Sequence, residues 1–190
     1  MNAMELVSDK QLIRWIAAGD KSCLGTLFER HHVALYNFCL QLSRNTALAE
    51  DIVQETFLRM LKASAGFRGD GSFRGWMFNI ARNLTYDHMR REKRLQPMDE
   101  QQRDQQAGQE PGPDKTVADH QGGLLLQRAL GLLPAAAREV IWLGRFHFDG
   151  YAELGQALDC SAGTARVRMH RAMKQLREAF LHLSEESANA

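Results

Sequence analysis

The side chains best suited to read a nucleic acid lie near the end of the chain. Arg166 and His170, with Val167 or Arg171, stand three, four or five positions apart. On a helix that spacing gathers them toward one side. A guanidinium can chelate guanine through two hydrogen bonds, worth about 1–3 kcal/mol of discrimination against the wrong base. A basic amphipathic helix is equally compatible with a solvated or protein-binding face. A second group, Glu50, Asp51, Gln54 and Glu55, would give a helix an acidic outward side. Enzyme chemistry is poorly served. The glycine loop Gly66–Gly71 lacks the GK[ST] ending of a nucleotide site, and neither a nucleophile elbow nor a pair of catalytic carboxylates is evident. Cys23, Cys39 and Cys160 are odd in number and far apart, so neither a disulfide framework nor a zinc site is indicated, and no cofactor or metal is expected.

The elements that must position these residues are all helical. Leu24, Leu27, Phe28, His31, Leu35, Phe38 and Leu42 recur at steps of three and four, with Asp20 as the expected cap. Asn45 or Thr46 opens the next helix, which carries Ile52, Val53, Thr56, Phe57, Met60 and Leu61 on one side. After the glycine loop, Ser72 is a natural cap for a helix from Phe73 to about Lys93. With a short leading helix over Asp9–Ala18, the first half reads as a four-helix bundle. Further helices are expected at about Gly122–Leu132, Ala135–Arg145, Tyr151–Leu158 and Ser161–Leu183. The last two, joined through Asp159 and Cys160, resemble a helix-turn-helix. That motif inserts the beginning of its second helix into the major groove, here Thr164, Arg166, Val167, His170 and Arg171. No strand pattern is present, and the fold class is all-α.

Charge divides the 190 residues unevenly, although the total is only +1. Residues 74–94 hold six basic and two acidic residues, and residues 161–178 five basic and one acidic, a local +4 in each case. Residues 96–121 hold six acids against two bases, amid glutamine, glycine and three of the four prolines. The expected organisation is a first helical domain over 1–95, a flexible acidic linker over 96–121 and a second helical domain over 122–190. No run of 18 apolar residues and no basic-then-apolar leader pattern occurs, so a cytoplasmic protein without membrane insertion is expected.

Three stretches stand in order in the first half: Ala49-Glu50-Asp51-Ile52-Val53-Gln54-Glu55-Thr56-Phe57-Leu58-Arg59, Phe67-Arg68-Gly69-Asp70 through Trp76, and Ile80-Ala81-Arg82-Asn83-Leu84. Leu132-Leu133-Pro134, Tyr151-Ala152-Glu153-Leu154 and Gly163-Thr164-Ala165-Arg166-Val167-Arg168 continue the series. The ordered set resembles the extracytoplasmic-function group of sigma-70 RNA polymerase sigma factors. The resemblance implies a non-enzymatic initiation factor that binds core RNA polymerase and directs it to promoter DNA. The first domain would engage a melted minus-10 element and the second a duplex minus-35 element. Members of the group are commonly held inactive by an anti-sigma factor.

By the same resemblance, Glu50, Asp51, Gln54 and Glu55 would dock on the polymerase clamp. Trp76, Asn79 and Asn83 would surround the minus-10 strand, and Arg82, Arg90, Arg91 and Arg94 would neutralise phosphates. Trp76 equally fits the apolar stripe of Phe73, Met77, Ile80 and Leu84. Thr164, Arg166, Val167, His170 and Arg171 would face the minus-35 bases. Two departures stand out: Leu48, where many relatives carry an acid, and Val167, where a small hydroxyl residue is common. An apolar Val167 favours a thymine methyl or leaves that base unread. A free-standing helix-turn-helix regulator is the rival reading, and it gives the acidic face and the aromatic loop no work. A purely protein-binding adaptor leaves both basic segments unexplained. The cysteines read as packing residues, His31 as core-edge, His32 as surface, and His147 as a packed ring.

Overall fold

A computed structural model describes residues 6–67, 69, 71–95 and 117–188. Within them α1 spans Asp9–Ala17, α2 Cys23–Ser43, α3 Thr46–Ala63 and α4 Phe73–Leu95, with a 3-10 turn at Ser64–Gly66. The second unit comprises α5 Val117–Leu132, α6 Ala135–Phe146, α7 Tyr151–Ala157 and α8 Ala162–Ala188. No strand occurs among the described residues. The first part of the expected linker, 96–116, lies outside them. Its last five residues belong to α5, which runs straight through Gly122 and Gly123. Both glycines face open space, so each costs the helix about 1 kcal/mol without breaking it.

The caps explain where the helices begin. Ser8 accepts the Gln11 amide at the start of α1, and Asn45, rather than Thr46, accepts the Leu48 amide at 3.0 Å to start α3. Ser72 accepts the Gly75 amide at 3.3 Å before α4, as its position predicts. Asp20 does something other than the expected capping. It accepts the backbone and hydroxyl of Ser22 at 3.1 and 2.5 Å, bracing the turn two residues upstream while α2 itself starts at Cys23.

In the first unit, Leu12, Ile13 and Ile16 from α1, Leu27, Leu35 and Phe38 from α2, Ile52 and Met60 from α3, and Met77 and Leu84 from α4 are buried together. Each such side chain contributes about 1.5–3 kcal/mol through apolar burial. Cys23 and Cys39 are free and buried in this core, and burial pushes the Cys39 thiol up to about 12. Asp9 ties α1 to α2, with Arg30 at 2.7 Å and His31 at 2.8 Å. Burial alone would raise the Asp9 carboxyl, but these two partners hold it below its ordinary range. His31 is thus buried at the core edge, whereas His32 is half-buried, stacked on Phe28 at 4.7 Å and not simply a surface residue.

The two units pack against each other. Phe78 of α4 meets Phe148 edge-on at 5.7 Å and His147 at 4.6 Å, so one continuous apolar core crosses the boundary. Arg44 ends α2 in the left-handed conformation (φ 54°) and donates to the Gly131 carbonyl of α5 at 2.5 Å.

Candidate nucleic-acid interface

The aromatic loop and the start of α4 form an open cavity of about 420 Å³. Phe67 and Trp76 make one wall, their rings 5.0 Å apart, and Phe73 packs 6.1 Å from each. Gly69, Gly71, Ser72 and Asn79 supply the polar side, and Gln156 and Asp159 of the second unit close the rim. Trp76 therefore does both things its sequence position allowed, being half-buried against the core while lining the cavity. Flat aromatic faces beside amide groups suit an unstacked nucleic-acid base.

The loop is held from an unexpected quarter. Gly69 has φ 77°, a conformation that favours glycine, and Lys10 of α1 donates to its carbonyl at 3.2 Å. A Cβ on Gly69 would stand 2.8 Å from the Arg14 guanidinium, so α1 presses directly on the loop.

Along α4, Asn83 is exposed and donates to Asn79 Oδ1 at 3.2 Å, while Arg82 donates to Asn83 Oδ1 at 3.3 Å. This chain fixes the Asn83 amide orientation. Arg90 and Arg91 are exposed on the same helix, Arg90 lying 3.7 Å from Asp87. Arg82 differs from them. Its Nε lies 2.6 Å from Glu139 Oε1 of α6, a contact of charges in which the N–H is not aligned on the oxygen. Its guanidinium also sits 5.1 Å over the Tyr86 ring. Tyr86 donates its hydroxyl to Glu139 at 3.1 Å. Glu139 is only 2% exposed. Burial pushes its carboxyl above the ordinary range against the opposing pull of Arg82, and burial and the neighbouring carboxylate push the Tyr86 hydroxyl up.

On α3, Glu50, Asp51 and Gln54 are exposed, and the partly exposed Glu55 pairs with Arg59 at 2.9 Å. Leu58, 49% exposed, lies among them. The acidic side is therefore real and available, with an apolar patch at its end. Leu48 is only 8% exposed, a core residue at the foot of α3.

The second unit builds a helix-turn-helix from α7 and α8. Its turn depends on Gly155, where a Cβ would stand 2.6 Å from the Cys160 carbonyl oxygen, and on Asp159 at φ 52°. Ser161 accepts the Thr164 amide at 3.2 Å and starts α8. Ala165, Ala172 and Leu176 are buried on one side of α8. Thr164, Arg166, Val167, His170 and Arg171 are all exposed, Val167 by 49%. The structure thus brings the five together on one open surface.

His147 packs as expected, but across the domain boundary. Burial, and secondarily the Arg74 charge, depress it to about 4, and its Nε2 is buried without a partner. The neutral ring is favoured in the fold, so this contribution is complete above the ordinary value near 6.5 and is lost as pH falls toward 4. With the ring edge still open to screening water, the loss is about 1 kcal/mol. The drop in urea midpoint between pH 7 and pH 5 should accordingly be smaller in His147→Phe than in the native chain; an equal drop would assign the sensitivity to other groups.

Sequence reading missed Glu139, Gln156, Lys10 and Arg14, all of which act through partners distant in the chain. Among the described residues no His, Cys, Asp and Glu cluster could hold a metal, and no helix is long and apolar enough to cross a membrane.

A strand-sized aromatic cavity on a basic helix, followed by a helix-turn-helix, defines a two-part DNA-binding transcription factor of the sigma-70 class. Residues 27–95 match Sigma-70 region 2, and residues 123–176 match Sigma-70, region 4. The chain is 33% identical to the ECF RNA polymerase sigma factor SigE of Mycolicibacterium smegmatis, over 92% of its own length and 69% of the relative's. It is 27% identical to the ECF RNA polymerase sigma factor SigW of Bacillus subtilis, over 95% of its length and all of that protein (100%). The chain belongs to the extracytoplasmic-function RNA polymerase sigma factors, and is a transcription initiation factor rather than an enzyme. Among solved structures it resembles CnrH in complex with the cytosolic domain of CnrY, with a TM-score of 0.64, 27% identity and coverage of 90% and 95% of the two chains. It matches the sigma factor RpoE in complex with the anti-sigma factor NepR from Bartonella quintana equally, with a TM-score of 0.64, 26% identity and coverage of 82% and 94%.

Proposed function

We propose that this chain binds core RNA polymerase through the acidic side of α3, takes a base of the melted minus-10 strand into the Phe67–Trp76 cavity, and reads the minus-35 duplex with the start of α8. The observation that carries this reading is the aromatic, glycine-lined cavity at the head of a basic helix. A regulator of duplex DNA has no use for such a cavity, because a paired base cannot enter it. Asn79 and Asn83 provide amide edges, Arg90 and Arg91 meet phosphates, and Thr164, Arg166, Val167, His170 and Arg171 face the duplex. It acts in the cytoplasm, where its polymerase and promoters are. A protein inhibitor of the kind bound to CnrH and RpoE in those structures covers one or both domains.

The test is transcription with purified bacterial core enzyme on a pool of genomic promoter fragments. New, specific start sites support the reading. Absence of both transcripts and core binding in a pull-down would favour the free-standing regulator.

Two substitutions examine the separate surfaces. Asp51→Lys places a cation among Glu50, Gln54 and Glu55 and should weaken core binding about tenfold, equivalent to about 1.4 kcal/mol. Unchanged affinity would make this side an ordinary solvated one. Arg166→Ala should cost about 1–3 kcal/mol at one base position of the minus-35 element. An equal loss on all sequences would reduce Arg166 to a phosphate contact, with a salt-dependent, sequence-independent role.

A further inference from the structure

The polar side of the strand cavity is already occupied. The Ser72 backbone N–H donates to Gln156 Oε1 at 2.8 Å. The Asn79 amide donates to the carbonyls of Gln156 and Ala157 at 3.4 and 3.3 Å. Those carbonyls are at the C-terminal end of α7, where helix acceptors lack partners of their own. Glycine permits the approach. A Cβ on Gly71 would meet the Gln156 amide nitrogen at 2.8 Å, and one on Gly75 would meet the Gln156 Cβ at 3.1 Å.

A primary amide is planar and carries a donor and an acceptor on one edge, as a base does. It takes up the same N–H and side-chain amide that an incoming base would use. One turn further along α4, Glu139 places a carboxylate oxygen 2.6 Å from Arg82 Nε, where a strand phosphate would otherwise be neutralised.

We propose that α6 and α7 act as an internal stand-in for the minus-10 strand: Gln156 fills the base site and Glu139 the phosphate site, so the free chain is closed to single-stranded DNA. The proposal rests on the reading of the Phe67–Trp76 cavity as a strand site. It commits to this chain's own second domain as the occupant. Strand DNA and the second domain then compete for one surface, and whatever draws the domains apart uncovers it. The ion pair suits a releasable contact, because both charges regain water on opening and a buried pair adds little net stability. The helix-turn-helix surface is unaffected, since Arg166, Val167, His170 and Arg171 stay exposed while the cavity is covered.

The experiment uses the full chain and its Gln156→Ala/Glu139→Gln variant. Gln156 is exposed on the surface of α7, so that change removes no core packing; Gln156→Ala alone serves as the second variant should the replacement at buried Glu139 impair folding. Two quantities are read: exchange of the Ser72 backbone amide with deuterium, and fluorescence anisotropy of a dye-labelled pool of random single-stranded 12-mers at fixed salt. The expected result is faster Ser72 exchange together with tighter DNA binding. If the native chain is closed in about nine molecules of ten, the gain is roughly tenfold, because apparent affinity scales with the open fraction. Adding Phe67→Ala should remove the gain. Unchanged exchange and unchanged affinity would overturn the internal contact and leave the strand-site reading standing. Faster exchange without a gain in affinity, or a gain that survives Phe67→Ala, would overturn the proposal through its premise, by showing that the cavity does not take the strand.

Discussion

Gly155→Ala is expected to destabilise the second domain by about 3 kcal/mol, the cost of forcing a methyl group into backbone that has no space for it. The clash is with the Cys160 carbonyl oxygen at 2.6 Å, and the next two nearest atoms, at Ser161 and Ala162, are also backbone. No rotamer change can relieve it. The turn must open, and with it the angle at which α8 leaves α7. The thermal midpoint should fall by roughly 6–12 °C for a chain of this size. Duplex binding should be lost at temperatures where the first domain is still folded. Gly122→Ala is the matched control, because that glycine faces open space within a helix and the change should stabilise by up to about 1 kcal/mol. Equal effects from the two substitutions would show that helix propensity, not the turn, governs Gly155.

The second large effect is functional. Asn83→Ala should reduce promoter opening roughly 10- to 100-fold, read as permanganate reactivity of thymines in the bubble, while leaving core binding intact. An amide paired to a base edge through both atoms is worth about 1–3 kcal/mol, and tenfold corresponds to 1.4 kcal/mol. Asn83 is suited to this because its amide is pre-oriented, donating to Asn79 and accepting from Arg82. Its side chain is exposed, so truncation leaves no cavity in the core. A parallel loss of core binding would show that the substitution disturbs the domain as a whole.

Most of the helical architecture was legible in the sequence because it is written in short-range chemistry. The stripe through Leu27, Leu35, Phe38 and Leu42 repeats at helical spacing, and all four are buried. Asn45 and Ser72 could be recognised as caps from type and position alone. The helix-turn-helix surface was legible for the same reason, since five residues on one side of α8 need only the helical period to be placed together. Asp20 failed as a cap because an Asx turn uses the same side chain two residues away, and local pattern does not separate the two. The start of α5 failed because a pair of exposed glycines looks like a break when nothing in the sequence says that the helix continues.

Harder to read was how the domains meet. Arg82 with Glu139, Phe78 with His147, and Ser72 with Gln156 are joined by packing between residues 53 to 84 positions apart, and such pairing leaves no periodic trace. Charge alone made Arg82 look like Arg90 and Arg91. Gly155 did carry a signal, a glycine inside a short helix just before a turn, whose meaning appears only when the Cys160 carbonyl is placed against it.

The brace that α1 gives the aromatic loop bears on how the protein is cut into pieces. The region 2 match begins at residue 27, yet Leu12, Ile13 and Ile16 are at most 4% exposed, and Lys10 and Arg14 hold Gly69 from outside that boundary. A fragment excised at residue 27 would retain every side chain assigned to the minus-10 strand and lose the scaffold that shapes their cavity. The smallest portable unit of the first domain therefore starts before Ser8, and an inactive fragment beginning at residue 27 would report a missing support, not a missing contact.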